Sequence, residues 1–133
     1  MYQMILSDLD ETLLVNHHVP KFNQEAIRQL KDVKFVPATG RSFSMIEDIL
    51  KEIGTANQAH EYSICFNGGL IVENQNAQIL SFQGLTFDQA KQLFDLGENY
   101  DVCIMIFTLN HCYLFKPDPT EIARKKAQKA AFT

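Results

Sequence analysis

The stretch MILSDLDETLL, Met4–Leu14, sets a nearly continuous apolar run against a crowd of acidic residues. Met4, Ile5, Leu6 and Leu9 suit a strand over residues 3–9 that is buried on both faces of a parallel sheet. Asp8, Asp10 and Glu11 then gather at its carboxyl end beside Thr12, where like charges repel and desolvation of carboxylates is costly. Two readings account for this: an acidic surface turn, or a site built around an anion or a metal. The remainder of the chain has to decide between them.

Working outward, residues 13–22 read as a loop. Asn23 is placed to cap a helix in which Ala26, Ile27, Leu30 and Val33 recur at helical spacing. Val33–Ala38 makes a second strand. Ser44 and Glu47 spell a capping box ahead of the stripe Ile46, Ile49, Leu50 and Ile53, and Gly54 is a stop signal. A third strand follows at Tyr62–Phe66. Three strands alternating with two helices predict a βαβαβ unit with a parallel sheet, hence a Rossmann-like α/β fold in three layers. Ligands of such sheets collect at the carboxyl ends of the strands. Those ends are DLDET at 8–12, ATGRS at 38–42 and FNGG at 66–69, where the acidic, hydroxyl and glycine residues concentrate.

After Gly69 the rhythm changes. Leu70–Val72 and Gln78–Phe82 flank a polar stretch as a hairpin would. Thr86 and Gln89 form a capping box before Phe87, Ala90, Leu93 and Phe94, with Gly97 closing the helix. Val102–Thr108 and Cys112–Lys116 alternate around residues 109–111 as a second hairpin, and Asp118 with Pro119 opens a last helix that runs out near Thr133. The expected division is residues 1–81 for the parallel-sheet part and 82–133 for an α+β part.

With 133 residues, 46% of them hydrophobic, and a net charge of −4, the chain has enough material for a core and no basic footprint for nucleic acid. Arg124, Lys125 and Lys126 read as a solvated helix face. The longest unbroken apolar stretch, Val102–Phe107, is too short to span a bilayer, and no signal segment is read at the start, so no membrane partner and a cytoplasmic location are expected. Cys65, Cys103 and Cys112 form no CxxC pair and read as free, buried thiols. His17 and His18 read as solvated loop residues, with lining of the acidic pocket as the other reading.

Asp8 and Asp10, at i and i+2, face one pocket if the backbone stays extended between them. A magnesium ion between carboxylate and phosphate turns their repulsion into coordination, and one aspartate can then attack phosphorus while the other handles protons. Thr39 and Gly40 offer a hydroxyl and N–H groups to phosphate oxygens. From the residues alone, the constellation predicts phosphoryl transfer through an acyl phosphate; an acidic turn and a helix cap remain the bland alternative.

These residues carry a resemblance. DLDETLL resembles the first motif (DxDxT) of the haloacid dehalogenase superfamily, ATGRS its second motif in the Cof-type, subfamily IIB sugar-phosphatase branch, and FNGG the turn leading from core to cap in that branch. The resemblance implies Asp8 as nucleophile and magnesium ligand, and Asp10 as general acid/base that also offers its backbone carbonyl to the metal. It implies Thr39 as a ligand of the transferring phosphoryl group, Thr12 as support of the first turn, and Gly40, Arg41 and Asn67 as pocket residues. Glu11 replaces the glycine commonest at its position. A third-motif lysine and a fourth, acidic GDxxxD-like motif have no counterpart here, so the chain resembles the first half of such a phosphatase: an incomplete core followed by the first part of a cap. The implied substrate is a small phosphorylated metabolite such as a sugar phosphate, and the implied cofactor is Mg2+. The alternative is a short, catalytically inactive module that binds phosphate or a partner. In the family's sheet the DLDET strand is central. Without its C-terminal neighbours, Met4–Leu9 becomes an edge through which the chain is expected to self-associate.

Overall fold

The computed structural model describes residues 3–132. Thr133, where the last helix is expected to run out, lies outside the described residues. The chain divides into two compact units between Phe82 and Gln83.

In the first unit, strand β1 (Met4–Ser7) leads through helix α1 (Lys21–Arg28) to strand β2 (Lys34–Pro37), and then through helix α2 (Glu47–Ile53) to strand β3 (Tyr62–Cys65). β1 and β2 pair in parallel, Met4 opposite Lys34 and Ser7 opposite Pro37. One residue further, Ala38 bridges Ile64 in parallel, and the Thr39 N–H donates to the Ile64 carbonyl at 2.9 Å. β2 therefore lies between β1 and β3, and the expected α/β architecture with parallel strands is present. All three carboxyl ends reach the same edge.

β1 differs from its expected burial. Among the described residues it pairs with β2 alone. The Gln3 and Ser7 carbonyls accept from the Lys34 and Ala38 N–H groups at 2.9 and 2.8 Å. In a parallel ladder this turns the odd-numbered residues toward β2, so the N–H and C=O groups of Met4 and Leu6 point to the open side. The side chains of Met4, Ile5 and Leu6 are also 49%, 39% and 58% exposed, so the run is not buried on both faces.

The core forms where α2 lies against the strand ends. Ile46, Ile49, Leu50 and Ile53 make one helical stripe and are buried with Phe35, Cys65, Leu70 and Val72. Leu9, Leu13, Leu14 and Val19 join the same cluster from the segment after β1. Leu9, expected as the last residue of the strand, instead anchors a turn and is fully buried. Gly54 ends α2 in the left-handed conformation, φ +84°.

Two helix starts depart from expectation. α1 begins at Lys21 behind Pro20, so Asn23 lies inside the helix; the proline ring holds φ at −55° and enters the helix without a capping side chain. The Ser44–Glu47 box does not form. Phe43–Met45 is a 3-10 turn, α2 starts at Glu47, and Ser44 Oγ lies 3.1 Å from Ser42 Oγ.

Strands β4 (Leu70–Glu73) and β5 (Gln78–Phe82) form the expected hairpin, but β4 also folds back antiparallel on β3, with Cys65 opposite Leu70. FNGG is thus a reversal in its own right. Buried Asn74 ties this hairpin to the loop after α2. It accepts from Ser63 Oγ at 2.7 Å and donates to the Thr55 carbonyl at 3.0 Å.

The second unit opens with helix α3 (Phe87–Glu98), whose Thr86–Gln89 capping box is complete. Gly97 lies within the helix rather than after it. A Cβ there would sit 2.8 Å from Ile104 Cδ1, so glycine permits close approach of α3 to strand β6 (Ile104–Phe107). β6 pairs antiparallel with β7 (Cys112–Phe115), and the Phe94 and Phe115 rings meet edge to face at 5.1 Å. Lys116 Nζ donates to the Glu98 and Tyr100 carbonyls at 3.0 and 2.7 Å, a cation placed on orphan acceptors at the end of α3. Helix α4 (Pro119–Ala127) starts as expected, with Asp118 accepting from the Glu121 N–H at 2.9 Å. It stops at Ala127. The chain then returns, Phe132 bridging Cys112 in parallel with the Cys112 N–H donating to the Ala131 carbonyl at 2.8 Å. The three cysteines are free thiols, as expected, although Cys103 is only half-buried. Burial pushes the Cys65 thiol up to about 12, which leaves it protonated and inert at neutral pH. No helix among the described residues is long and apolar enough to cross a membrane.

Leu9→Ala is expected to lower the stability of the first unit by ~2–5 kcal/mol, the cost of a cavity at a fully buried leucine. Urea unfolding followed by far-UV circular dichroism measures it; a loss below about 1 kcal/mol would show that Leu9 is not an anchor.

Candidate active site

The first strand end is organised by its leucines. Leu9 and Leu13 are buried, and the residues between them close one wide, π-helical turn through the Leu14 N–H and the Leu9 carbonyl at 2.9 Å. Asp8 is extended before the turn (φ −65°, ψ 157°), Asp10 is extended within it (φ −67°, ψ 128°), and Glu11 is left-handed (φ +59°). The backbone does not stay extended from Asp8 to Asp10, because Leu9 already has helical dihedrals. The two carboxylates consequently meet different surroundings. Asp8 is exposed and accepts from the Thr12 hydroxyl at 3.0 Å. Asp10 is held by the forked guanidinium of Arg41, Nε to Oδ2 at 3.0 Å and Nη2 to Oδ1 at 2.5 Å.

The second strand end supplies that arginine. Arg41 is only 4% exposed. Its N–H donates to Thr39 Oγ1 at 3.2 Å, which fixes the turn and orients the buried threonine hydroxyl. The third end closes on the second: the Phe66 N–H donates to the Arg41 carbonyl at 3.1 Å and the Asn67 N–H to the Thr39 carbonyl at 3.0 Å. Phe66, Asn67 and Gly68 are all left-handed, with φ of +50°, +54° and +95°. For the two non-glycine residues this costs about 1–2 kcal/mol each, and their hydrogen bonds to the second strand end hold them there. Gly40 gives room at the same spot, since a Cβ on it would lie 3.0 Å from Asn67 Oδ1.

The residues singled out in sequence thus gather at one edge of the first unit. Asp10, Arg41, Thr39, Gly40 and Asn67 form a connected set, while Asp8 and Thr12 pair on the adjoining turn. Glu52 was not foreseen. One of its carboxylate oxygens accepts the Val19 N–H at 2.6 Å and the other meets His18 Nδ1 at 2.7 Å, pinning the segment after the acidic turn to α2. Nothing local in the sequence marks it, because its partners lie more than thirty positions away. His17 and His18 are exposed.

As a metal site the donor set is sparse. Arg41 occupies the Asp10 carboxylate, so that of the expected ligands the Asp8 carboxylate and the Asp10 carbonyl are the oxygens that could hold a cation. Among the described residues no group of three His, Cys, Asp or Glu side chains could hold an ion. An all-oxygen pair suits magnesium, which keeps several waters, but offers little affinity by itself.

Glu11 sits where the backbone favours glycine. Glu11→Gly is expected to stabilise the first unit by about 0.5–1 kcal/mol, since relief of left-handed strain exceeds the added chain entropy. Glu11→Val is expected to destabilise it. Thermal midpoints of the two variants on either side of the parent value would support this; the opposite order would contradict the conformation of the turn.

Comparison with known proteins addresses the chain as a whole. The family model for haloacid dehalogenase-like hydrolases matches residues 5–133. The Bacillus subtilis protein named "Putative phosphatase YxeH" is 29% identical over 124 residues, which cover 91% of this chain and 46% of that protein. A haloacid dehalogenase-like hydrolase from Bacteroides thetaiotaomicron superposes on all of this chain with a TM-score of 0.84 at 20% identity, over 51% of its own length. The subclass IIB sugar phosphatase BT4131 matches 98% of the chain with a TM-score of 0.73 at 19% identity, over 52% of its length. The chain spans about half the length of the relatives it matches. On the match over residues 5–133, the chain belongs to the haloacid dehalogenase-like hydrolase family.

Proposed function

We propose that this chain is the N-terminal half of a magnesium-dependent, cytoplasmic phosphatase acting on a small phosphorylated metabolite such as a sugar phosphate. Residues 1–81 would be part of its catalytic core and 82–133 the first part of its cap. The observation that carries the reading is the meeting of three strand ends, which sets an exposed Asp8 beside a tethered Asp10 and a buried Thr39. The half-length match to a relative named as a phosphatase supports it.

The chemistry follows from the positions. An Asp8 carboxylate oxygen attacks phosphorus, the bond from phosphorus to the ester oxygen breaks, and the leaving alkoxide takes a proton from Asp10. Water then attacks the phosphorus of the aspartyl phosphate, giving its proton to Asp10. The Asp8–phosphorus bond breaks, and inorganic phosphate leaves. Thr12 steadies the nucleophile through its hydroxyl, whereas the Thr39 hydroxyl, already accepting from Arg41, keeps its own proton to donate to a phosphoryl oxygen. Magnesium, held by Asp8 and the Asp10 carbonyl, would offset the charge of carboxylate and phosphate.

Kinetics on the full-length enzyme test this reading. Asp8→Asn is expected to remove turnover while keeping the fold, and Asp10→Asn to lower it about 10²–10⁴-fold. The 133-residue chain alone is expected to hydrolyse phosphate esters poorly and to bind magnesium weakly, for want of ligands and of a compensating lysine. Near-normal activity of Asp8→Asn would refute the nucleophile assignment.

A consequence for the isolated chain is self-association through β1, where Met4 and Leu6 leave backbone groups unpaired on the open edge and Met4, Ile5 and Leu6 leave apolar side chains exposed. Light scattering at micromolar concentration should report a species larger than one chain. Hydrogen exchange should show amides 4 and 6 protected in it. A strict monomer in which those amides are already protected would contradict the open edge.

A further inference from the structure

We propose that Arg41 is a positioning residue, which orients the carboxylate of Asp10 for proton transfer rather than gripping the substrate phosphate; this rests on the phosphatase reading above. Asp10 lies inside the π-helical turn Leu9–Leu13 but departs from helical dihedrals there. It is extended inside a turn whose next residue is left-handed, so its side chain is aimed by whatever it bonds. What it bonds is Arg41, through two parallel N–H donors of a rigid fork.

Arg41 itself is buried, and its backbone is held at both its N–H and its carbonyl. Its N–H donates to Thr39 and its carbonyl accepts from Phe66, so the backbone belongs to the stitching between the second and third strand ends. Its side chain is 4% exposed, while the Asp10 side chain is 37% exposed. The fixed, buried partner is the arginine, and the partner open to solvent is the carboxylate. An arginine meant to clamp a phosphate entering from solvent would carry the opposite exposure, with its fork presented outward. The guanidinium instead spends Nε and Nη2 on Asp10 and so fixes the direction of that carboxylate.

Two measurements decide the matter. In the 133-residue chain, the Arg41 Nε–H should give a slowly exchanging side-chain NMR signal that speeds up by at least about tenfold in Asp10→Ala, because a paired N–H is released to water. An unchanged signal would overturn the pairing. In the full-length enzyme, kcat/KM should be compared for an alkyl phosphate, a poor leaving group, and for p-nitrophenyl phosphate, a good one that needs little help from an acid. If Arg41 positions Asp10, Arg41→Gln loses about 10²-fold or more on the alkyl ester and far less on the aryl ester. Arg41→Lys, with the charge but without the fork, should fail to restore the difference. Equal losses on both esters, or full rescue by lysine, would assign Arg41 to the phosphate and overturn the proposal. If the wild-type enzyme hydrolyses neither ester, the phosphatase reading falls, and the Arg41 signal still decides whether the arginine holds Asp10.

Discussion

The site depends on the parallel alignment of three strands. Backbone hydrogen bonds hold Ser7 beside Pro37, and the bridge from Ala38 to Ile64 holds the second strand beside the third. With those fixed, every residue that follows a strand end is forced to the same edge of the sheet. The turns there are not independent. The second receives two N–H donors from the third, and its arginine reaches the first. Left-handed Phe66 and Asn67, both bonded to the second turn, show that this mutual bonding outweighs local backbone preference.

Much of this is legible in sequence because it rests on local physics. The apolar run before Asp8, the alternation of strand and helix, the Thr86–Gln89 box and the Asp118–Pro119 start all act within a few residues, and the structure shows each of them. The structure departs from the local signals where two of them compete or where the deciding contact is distant. Pro20 displaced Asn23 as the start of α1, since a ring already at helical φ needs no cap. Gly97 resembles a helix stop but serves the close packing of α3 on Ile104, a neighbour not visible in the helix's own pattern. Met4 and Leu6 read as buried because periodicity reports what a strand is suited to, not which neighbours are present.

The candidate site follows the same division. The residue types at the three strand ends are readable, and the structure brings them to one edge. Their pairing is not. Arg41 and Asp10 lie 31 positions apart, and no spacing rule joins them. The expectation of an extended backbone between Asp8 and Asp10 failed because Leu9 gains more by entering the core than by continuing the strand. That one buried leucine separates the roles of the two aspartates. Asp8 is left exposed with a light hydroxyl contact, and Asp10 is turned to a fixed cation. A nucleophile must be open to its substrate and a proton-transfer group must be aimed, so the asymmetry suits the division of labour proposed for them.

The proposal that Asp8 attacks phosphorus has one direct chemical signature. Borohydride added to the full-length enzyme during turnover reduces an aspartyl phosphate to homoserine, and peptide mass spectrometry locates the change. The account predicts homoserine at position 8 and at no other aspartate, dependent on substrate and absent in Asp8→Asn. Sustained hydrolysis with Asp8 recovered unmodified, or with homoserine at a different position, would contradict it.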